Sequence, residues 1–147
     1  SSAASDVYKR QSIYKLKRGI NIFYKNDGKN KYLIYGIENR IEQIIANLLD
    51  NAISFSDDDK DVIVQVSKSQ DDKVYITILD EGRGFKEKDT NKIFKRFYSN
   101  RPDKFGQHSG LGLNIVKNLV DLHNATIKAY NRQDKKGASM EIEFPKV

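Results

Sequence analysis

Asn47 and Asn51 stand four residues apart in the run NLLDNA. On a helix that spacing puts both on one face. Two carboxamide oxygens there can meet a hydrated Mg2+ and the phosphates it bridges, because Mg2+ takes hard oxygen ligands and keeps several waters. A solvated or structural asparagine pair is the plainer alternative. Asp80 opens the run DEGRGF. A carboxylate at a strand end can accept a hydrogen bond from an exocyclic amine, and glycines at 82 and 84 let backbone approach a flat ring. A glycine-rich turn would look the same. Gly110, Leu111, Gly112 and Leu113 form a third group, in SGLGL. Glycines before a helix expose backbone amides at the positive end of its dipole, where phosphate is favoured.

These groups need elements to hold them. Apolar residues at Ile37, Ile41, Ile44, Ile45, Leu48, Leu49 and Ala52 recur at three-and-four spacing, so an amphipathic helix carries both asparagines, which fall off the Ile41, Ile45, Leu48, Leu49, Ala52 stripe. Val62, Val64 and Val66 alternate, a turn follows at Gln70-Asp71-Asp72, and Val74, Ile76 and Ile78 alternate again. That is a hairpin whose second strand runs into Asp80. Ile115, Val116, Leu119, Val120 and His123 mark a second helix after Gly112. Strands are expected at residues 19–26, 31–36, 126–130 and 140–144, the last two flanking a turn at Lys135-Lys136-Gly137. A short helix is expected over residues 90–98. Residues 99–109 hold too few apolar side chains to pack firmly and are expected to be mobile. Helices among mostly antiparallel strands define an α/β (α+β) class, a two-layer α/β sandwich with a mixed sheet packed on helices.

A chain of 147 residues with 38% hydrophobic and 31% charged residues fits one domain. It has no cysteine, which excludes disulfides, thiolate metal sites and a cysteine nucleophile. No apolar run is long enough to span a bilayer. The net charge of +6 is compatible with nucleic acid, an anionic surface, a polyphosphate ligand or a plain solvated face, since acidic residues interleave with the lysines. The opening SSAASDVYKRQ stands apart in composition, and its DVYKRQ resembles a translated adapter end from transposase-based sequencing. Residues 1–18 are therefore set aside as a non-native or linker tail, and residues 19–147 are taken as the domain.

Order and spacing carry more than any motif alone. NLLDNA, DEGRGF, IFKRFY, SGLGLNIVKNLVDLH and GASMEIEFP, in that order, resemble the catalytic, ATP-binding domain of sensor histidine kinases, a branch of the Bergerat-fold ATPases. The resemblance implies ATP as substrate and Mg2+ as cofactor. Asn51 would be the main Mg2+ ligand with Asn47 assisting or meeting phosphate, and both would serve catalysis. Asp80 would read the adenine amino group, with Gly82 and Gly84 shaping the purine pocket. Gly110, Leu111, Gly112 and Leu113 would cradle phosphate, and Phe94 and Phe97 would anchor the mobile lid.

Several positions depart from the family pattern. Ser54-Phe55 replaces a common Lys-Tyr, so Phe55 can still stack near the nucleotide but a phosphate-facing cation is missing. Lys60, Arg96, Arg101 or Lys104 could supply it, Arg101 from within the lid. His108 replaces a glycine, and Gly106 lies two residues earlier. His123-Asn124-Ala125 stands for His-Gly-Gly, so His123 is read as structural and the following turn as altered. The NAISFS run is associated with a group of envelope-sensing kinases.

The resemblance further implies a dimerisation and phosphoacceptor domain elsewhere in the parent, a response regulator as partner, and a cytoplasmic position in a membrane-anchored homodimer. Related ATPases carry a glutamate where this chain has Asn47, and an amide is no general base. A serine kinase of the anti-sigma type shares the fold and is a rival. A nucleic-acid binder is another, though no aromatic-basic RNA motif or helix-turn-helix pattern is present.

Overall fold

The computed structural model describes residues 19–29, 31–86, 89–95 and 112–147. Five strands form one sheet in the order β1-β2-β3-β5-β4. These are β1 (Asn21–Asn26), β2 (Asp61–Lys68), β3 (Val74–Leu79), β4 (Thr126–Asn131) and β5 (Ala138–Phe144). β1 runs parallel to β2 and the other pairs are antiparallel. Two helices, α1 (Glu38–Phe55) and α2 (Gly112–Leu122), pack on each other and on one face of the sheet. A 3-10 helix spans Thr90–Phe94. The two-layer sandwich and mixed, mostly antiparallel sheet agree with the sequence-based expectation. Among the described residues no helix is long and apolar enough to cross a membrane.

Register explains the core. Val64 pairs with Ile78, Ile78 with Met140 and Met140 with Ala129, so one row of apolar side chains crosses four strands. Strand side chains alternate between faces, and the adjacent row Val66, Ile76, Ile142, Ile127 points the same way. Against this surface α1 buries Ile44, Leu48, Leu49, Ala52 and Ile53, and α2 buries Val116 and Val120. Ile115, expected near the apolar face of α2, lies exposed at its edge.

The strand expected at residues 31–36 does not form, and no ladder pairs that segment. Its alternation is nonetheless real: Tyr32 and Ile34 pack against the core while Leu33 and Tyr35 face solvent. The segment rests on the core through those side chains, and its Lys31 carbonyl accepts from Lys68 Nζ at 3.3 Å. Preceding it, Asp27 accepts hydrogen bonds from the Tyr32 hydroxyl and from the backbone of Lys68 and Lys29, which hold its carboxyl down to about 2. β4 begins and ends at Thr126 and Asn131, one residue beyond expectation, and β5 starts two residues early, at Ala138. The part of the expected short helix beyond residue 95, and the whole of the 99–109 segment, lie outside the described residues.

The end of α2 shows why a departure from glycine is tolerated. Asn124 takes φ 54° while its N–H bonds Asp121 O, and Ala125 N–H reaches back to Val120 O. That pair of bonds is a Schellman helix end, and asparagine is the residue next best to glycine at its left-handed position. The turn therefore keeps a standard helix-ending form, and the expectation of an altered one is corrected. His123 ties the two helices together. Its Nδ1 lies 2.7 Å from Leu119 O, and its Nε2 accepts the Ile37 N–H at 3.1 Å. The second bond caps α1, whose N-cap residue Ile37 has no side-chain oxygen to do so. His123→Ala should lower stability by about 1–3 kcal/mol by leaving that part-buried N–H unpaired. Urea unfolding would measure it, and a midpoint equal to that of the parent would show that the clasp contributes nothing.

Candidate nucleotide-binding site

Three elements converge where β3 ends. Antiparallel pairing sets Leu79 opposite Ser139, so the next residue, Asp80, lies beside the start of β5. β5 also pairs with β4, which brings the β4–β5 turn to the same place. α1 arrives from the helical layer, and Ser56, just past its end, forms an isolated bridge with Gly82.

Asp80 is 3% exposed. Its Oδ1 accepts from Gly82 N at 2.9 Å and from Ala138 N at 3.0 Å. Among the described residues nothing donates to Oδ2. Burial pushes the carboxyl above its ordinary range, while the two backbone donors and the Arg132 charge pull against it, and burial wins. Glu81 is turned elsewhere. Its Oε2 accepts Asp61 N at 2.8 Å and its Oε1 lies 3.5 Å from Lys135 Nζ, so its carboxyl sits low, chiefly through the Asp61 bond.

Close approach dictates two glycines here. A Cβ on Gly82 would stand 2.2 Å from the Phe55 carbonyl oxygen, and one on Gly137 would stand 2.0 Å from the Asp80 carbonyl oxygen. Both obstacles are backbone and cannot rotate aside. Gly84 lies against Asn131, whose side chain accepts from Phe85 N at 2.6 Å and donates to Phe85 O at 3.1 Å. The Arg83 guanidinium sits 5.6 Å above the Phe55 ring, so one face of that ring already meets a cation.

Asn51 is 3% exposed and joins the buried set of α1 with Leu48 and Ala52, which corrects the expectation that it falls off the apolar stripe. Asn47, one turn earlier, is half-buried. Asn51 is thus not a solvated surface amide. Gly112 is the first residue of α2, and among the described residues nothing lies within 4 Å of where its Cβ would stand. Leu113 packs against the core. Phe94 is buried, with its carbonyl held by Asn114 Nδ2 at 3.3 Å, and serves as core. Arg101, Gly110 and Leu111, and with them Arg96, Phe97, Lys104, Gly106 and His108, lie outside the described residues. Lys60 is exposed in the loop before β2.

The sequence reading passed over Arg132 and Asn131, which brace the loop from the β4–β5 side. No period or motif marks either residue in the sequence. A cavity of about 940 Å3 lies along outward-facing residues of β4 and β5, among them Lys128, Tyr130 and Glu141. Asn47, Asn51 and Asp80 do not line it, so the site is placed by its chemistry and not by that hollow.

A mixed sheet under two helices, an asparagine-bearing helix and a buried aspartate before two glycines make up the α/β sandwich. The chain belongs to the family of histidine kinase-, DNA gyrase B- and HSP90-like ATPases, whose model matches residues 36–147. Its relatives include the sensor protein ChvG of Agrobacterium fabrum, 36% identical over 135 residues, covering 87% of this chain and 22% of the relative. The sensor protein KdpD of Clostridium acetobutylicum is 38% identical over 108 residues, covering 72% of this chain and 12% of that protein. The chain therefore spans about a fifth or less of the length of these relatives. Among solved structures, the catalytic domain of histidine kinase ThkA superposes with a TM-score of 0.81 at 23% identity, covering 99% of this chain and 91% of that one.

Gly82→Ala should cost about 1–3 kcal/mol, since helix end or loop must move to admit the methyl. Thermal or chemical unfolding would read it, and unchanged stability would mean that the contact with Phe55 yields freely.

Proposed function

We propose that this chain is the nucleotide-binding catalytic unit of a sensor histidine kinase that passes the ATP γ-phosphoryl group to a histidine on a separate domain of the same parent. The observation that carries the reading is Asp80, a buried carboxylate with one oxygen fixed by two backbone amides and the other unmet by any described donor. A purine amino group supplies the donor that Oδ2 lacks. Phe55 and the Gly82 loop then border the base, and the N-terminus of α2, opening at Gly112, favours the phosphates.

Asn51 and Asn47 would hold Mg2+ through their amide oxygens; when bound, the ion neutralises phosphate charge. The chain's own part is placement: the base is held at Asp80 and the phosphates are aligned between α1 and α2. A neutral imidazole from the acceptor domain forms the N–P bond as the bond from the γ-phosphorus to the bridging oxygen breaks and ADP leaves. Asn47 cannot take a proton from water, so hydrolysis lacks a general base. Relay to a response regulator, a membrane-anchored homodimeric parent and a cytoplasmic position for this unit belong to the same proposal.

Asp80→Asn separates binding from folding. The amide keeps an oxygen for Gly82 N and Ala138 N, but its NH2 faces the purine amine donor to donor. ATP binding should weaken by about 1–3 kcal/mol. Stability should move the other way. A carboxyl raised by burial is most at home protonated, so the stability it contributes below the unfolded pKa is lost as pH rises through the folded value. At neutral pH the ionised group is a burden that asparagine removes. Calorimetry and melting should therefore show weaker ATP binding with an equal or higher melting temperature, and unaltered ATP affinity would take Asp80 out of the site.

Reaction type has its own test. Mixed with a separately expressed acceptor domain and Mg-ATP, the chain should yield an acid-labile, base-stable phosphohistidine, and Asn51→Ala should abolish that product while leaving much of the adenine affinity. Alone, it should release almost no phosphate. Sustained release at roughly one per second or faster would make it an ATPase, and an acid-stable phosphoserine product would favour the serine-kinase rival.

A further inference from the structure

Arg132 follows the last residue of β4, and its side chain is only 4% exposed. Its Nη1 donates to the Asp80 carbonyl oxygen at 3.0 Å. Nε and Nη2 grip Asp134 at 3.0 and 2.8 Å, and Asp134 is itself largely in water. The backbone N–H of Arg132 bonds Gly137 O at 2.9 Å, closing the turn that delivers Ala138 N to Asp80 Oδ1. One residue thus fixes the Asp80 peptide directly and, through the turn, one of the two donors on its carboxylate. A guanidinium suits this role because its planar fork can grip a carboxylate with one edge and donate with the remaining nitrogen.

We propose that Arg132 is a positioning residue for nucleotide recognition, a buried clamp that sets the Asp80 carboxylate with Oδ2 turned to the purine. This rests on the reading of Asp80 as the purine acceptor. The position has a second effect on the same group. Glu81 is spent on Asp61 N and Lys135, Arg83 lies over Phe55, and among the described residues Arg132 is the cation that acts on Asp80. Its charge opposes the dominant effect of burial and favours the ionised carboxylate, the form that accepts from an amine.

The test is ATP binding by the 147-residue chain across a range of pH, compared among the parent, Arg132→Gln and Arg132→Lys. Removing the positive charge favours protonated Asp80, so Arg132→Gln should lose ATP affinity at a higher pH than the parent. A displacement of one pH unit corresponds to about tenfold weaker binding in the falling part of the profile. Arg132→Lys keeps a charge and loses the fork, so its profile should stay in register with the parent while affinity drops several-fold. A purely structural role would lower the melting temperature and weaken ATP equally at every pH. That uniform loss in Arg132→Gln, or parental affinity throughout in either variant, would overturn the proposal. If Arg132→Gln does not fold, Arg132→Lys is read by ATP against GTP: a several-fold loss confined to ATP supports the clamp, and an equal loss for both nucleotides overturns it. Absence of ATP binding by the parent chain would instead sink the reading of Asp80, which separates the two failures.

Discussion

A carboxylate out of water is the constraint around which this domain is arranged. Burial of a charged group costs several kcal/mol unless hydrogen bonds and charge replace its hydration. Asp80 has two backbone amides on one oxygen and a guanidinium on its own carbonyl. Those donors come from the loop after β3, the first residue of β5 and the turn between β4 and β5. None can be supplied unless the strands pair in the observed register, since a slip of one residue would carry Ala138 N to the other side of the ladder. The sheet order and the site are therefore one constraint seen at two scales. The bare contacts at Gly82 and Gly137 follow from it, because three backbones must meet around one side chain.

The helical layer is held to that arrangement from its far side. α1 ends beside Gly82 and starts beside His123, at the end of α2. A shift of α2 relative to α1 would have to stretch the His123 bond to Ile37 N or tilt α1 as a whole, and a tilt of α1 moves its last turn against the Gly82 loop. Asn47 and Asn51 sit between these two fixed ends. Their placement follows the packing of Ile44, Leu48 and Ala52 on the sheet.

Much of this was legible in the sequence because period carries it. The three-and-four spacing from Ile37 to Ala52 located α1, and the alternation of Val62 to Val66 and Val74 to Ile78 located the hairpin. Asp80, Gly82 and Asn51 could be singled out because residue type and position at an element's end limit their chemistry. Residues 31–36 misled because alternation reports one-sided packing, not a ladder, and only tertiary context says whether a strand edge is free to pair. Asn51 misled in the other direction, since a helical wheel drawn from apolar residues assigns an amide to solvent. Arg132 was illegible for a different reason. A single arginine before a polar turn carries no period, and its burial arises from the crossing of β4, β5 and β3, which are far apart in sequence.

The same physics ties recognition to an intrinsic cost. A site that held both Asp80 oxygens would be more stable and would bind nothing there, because a satisfied acceptor gains little from a purine amine. With Oδ2 met by no donor among the described residues, part of the burial penalty stays in the domain and is recoverable by a donor that reaches that oxygen. A ligand that donates to that oxygen recovers it; one that presents an acceptor at the same place adds repulsion to an already raised carboxyl. On the proposed reading, discrimination between amine and carbonyl at a purine ring derives from the one Asp80 oxygen that no described residue meets, while Gly82, Ala138 and Arg132 hold the rest of that residue.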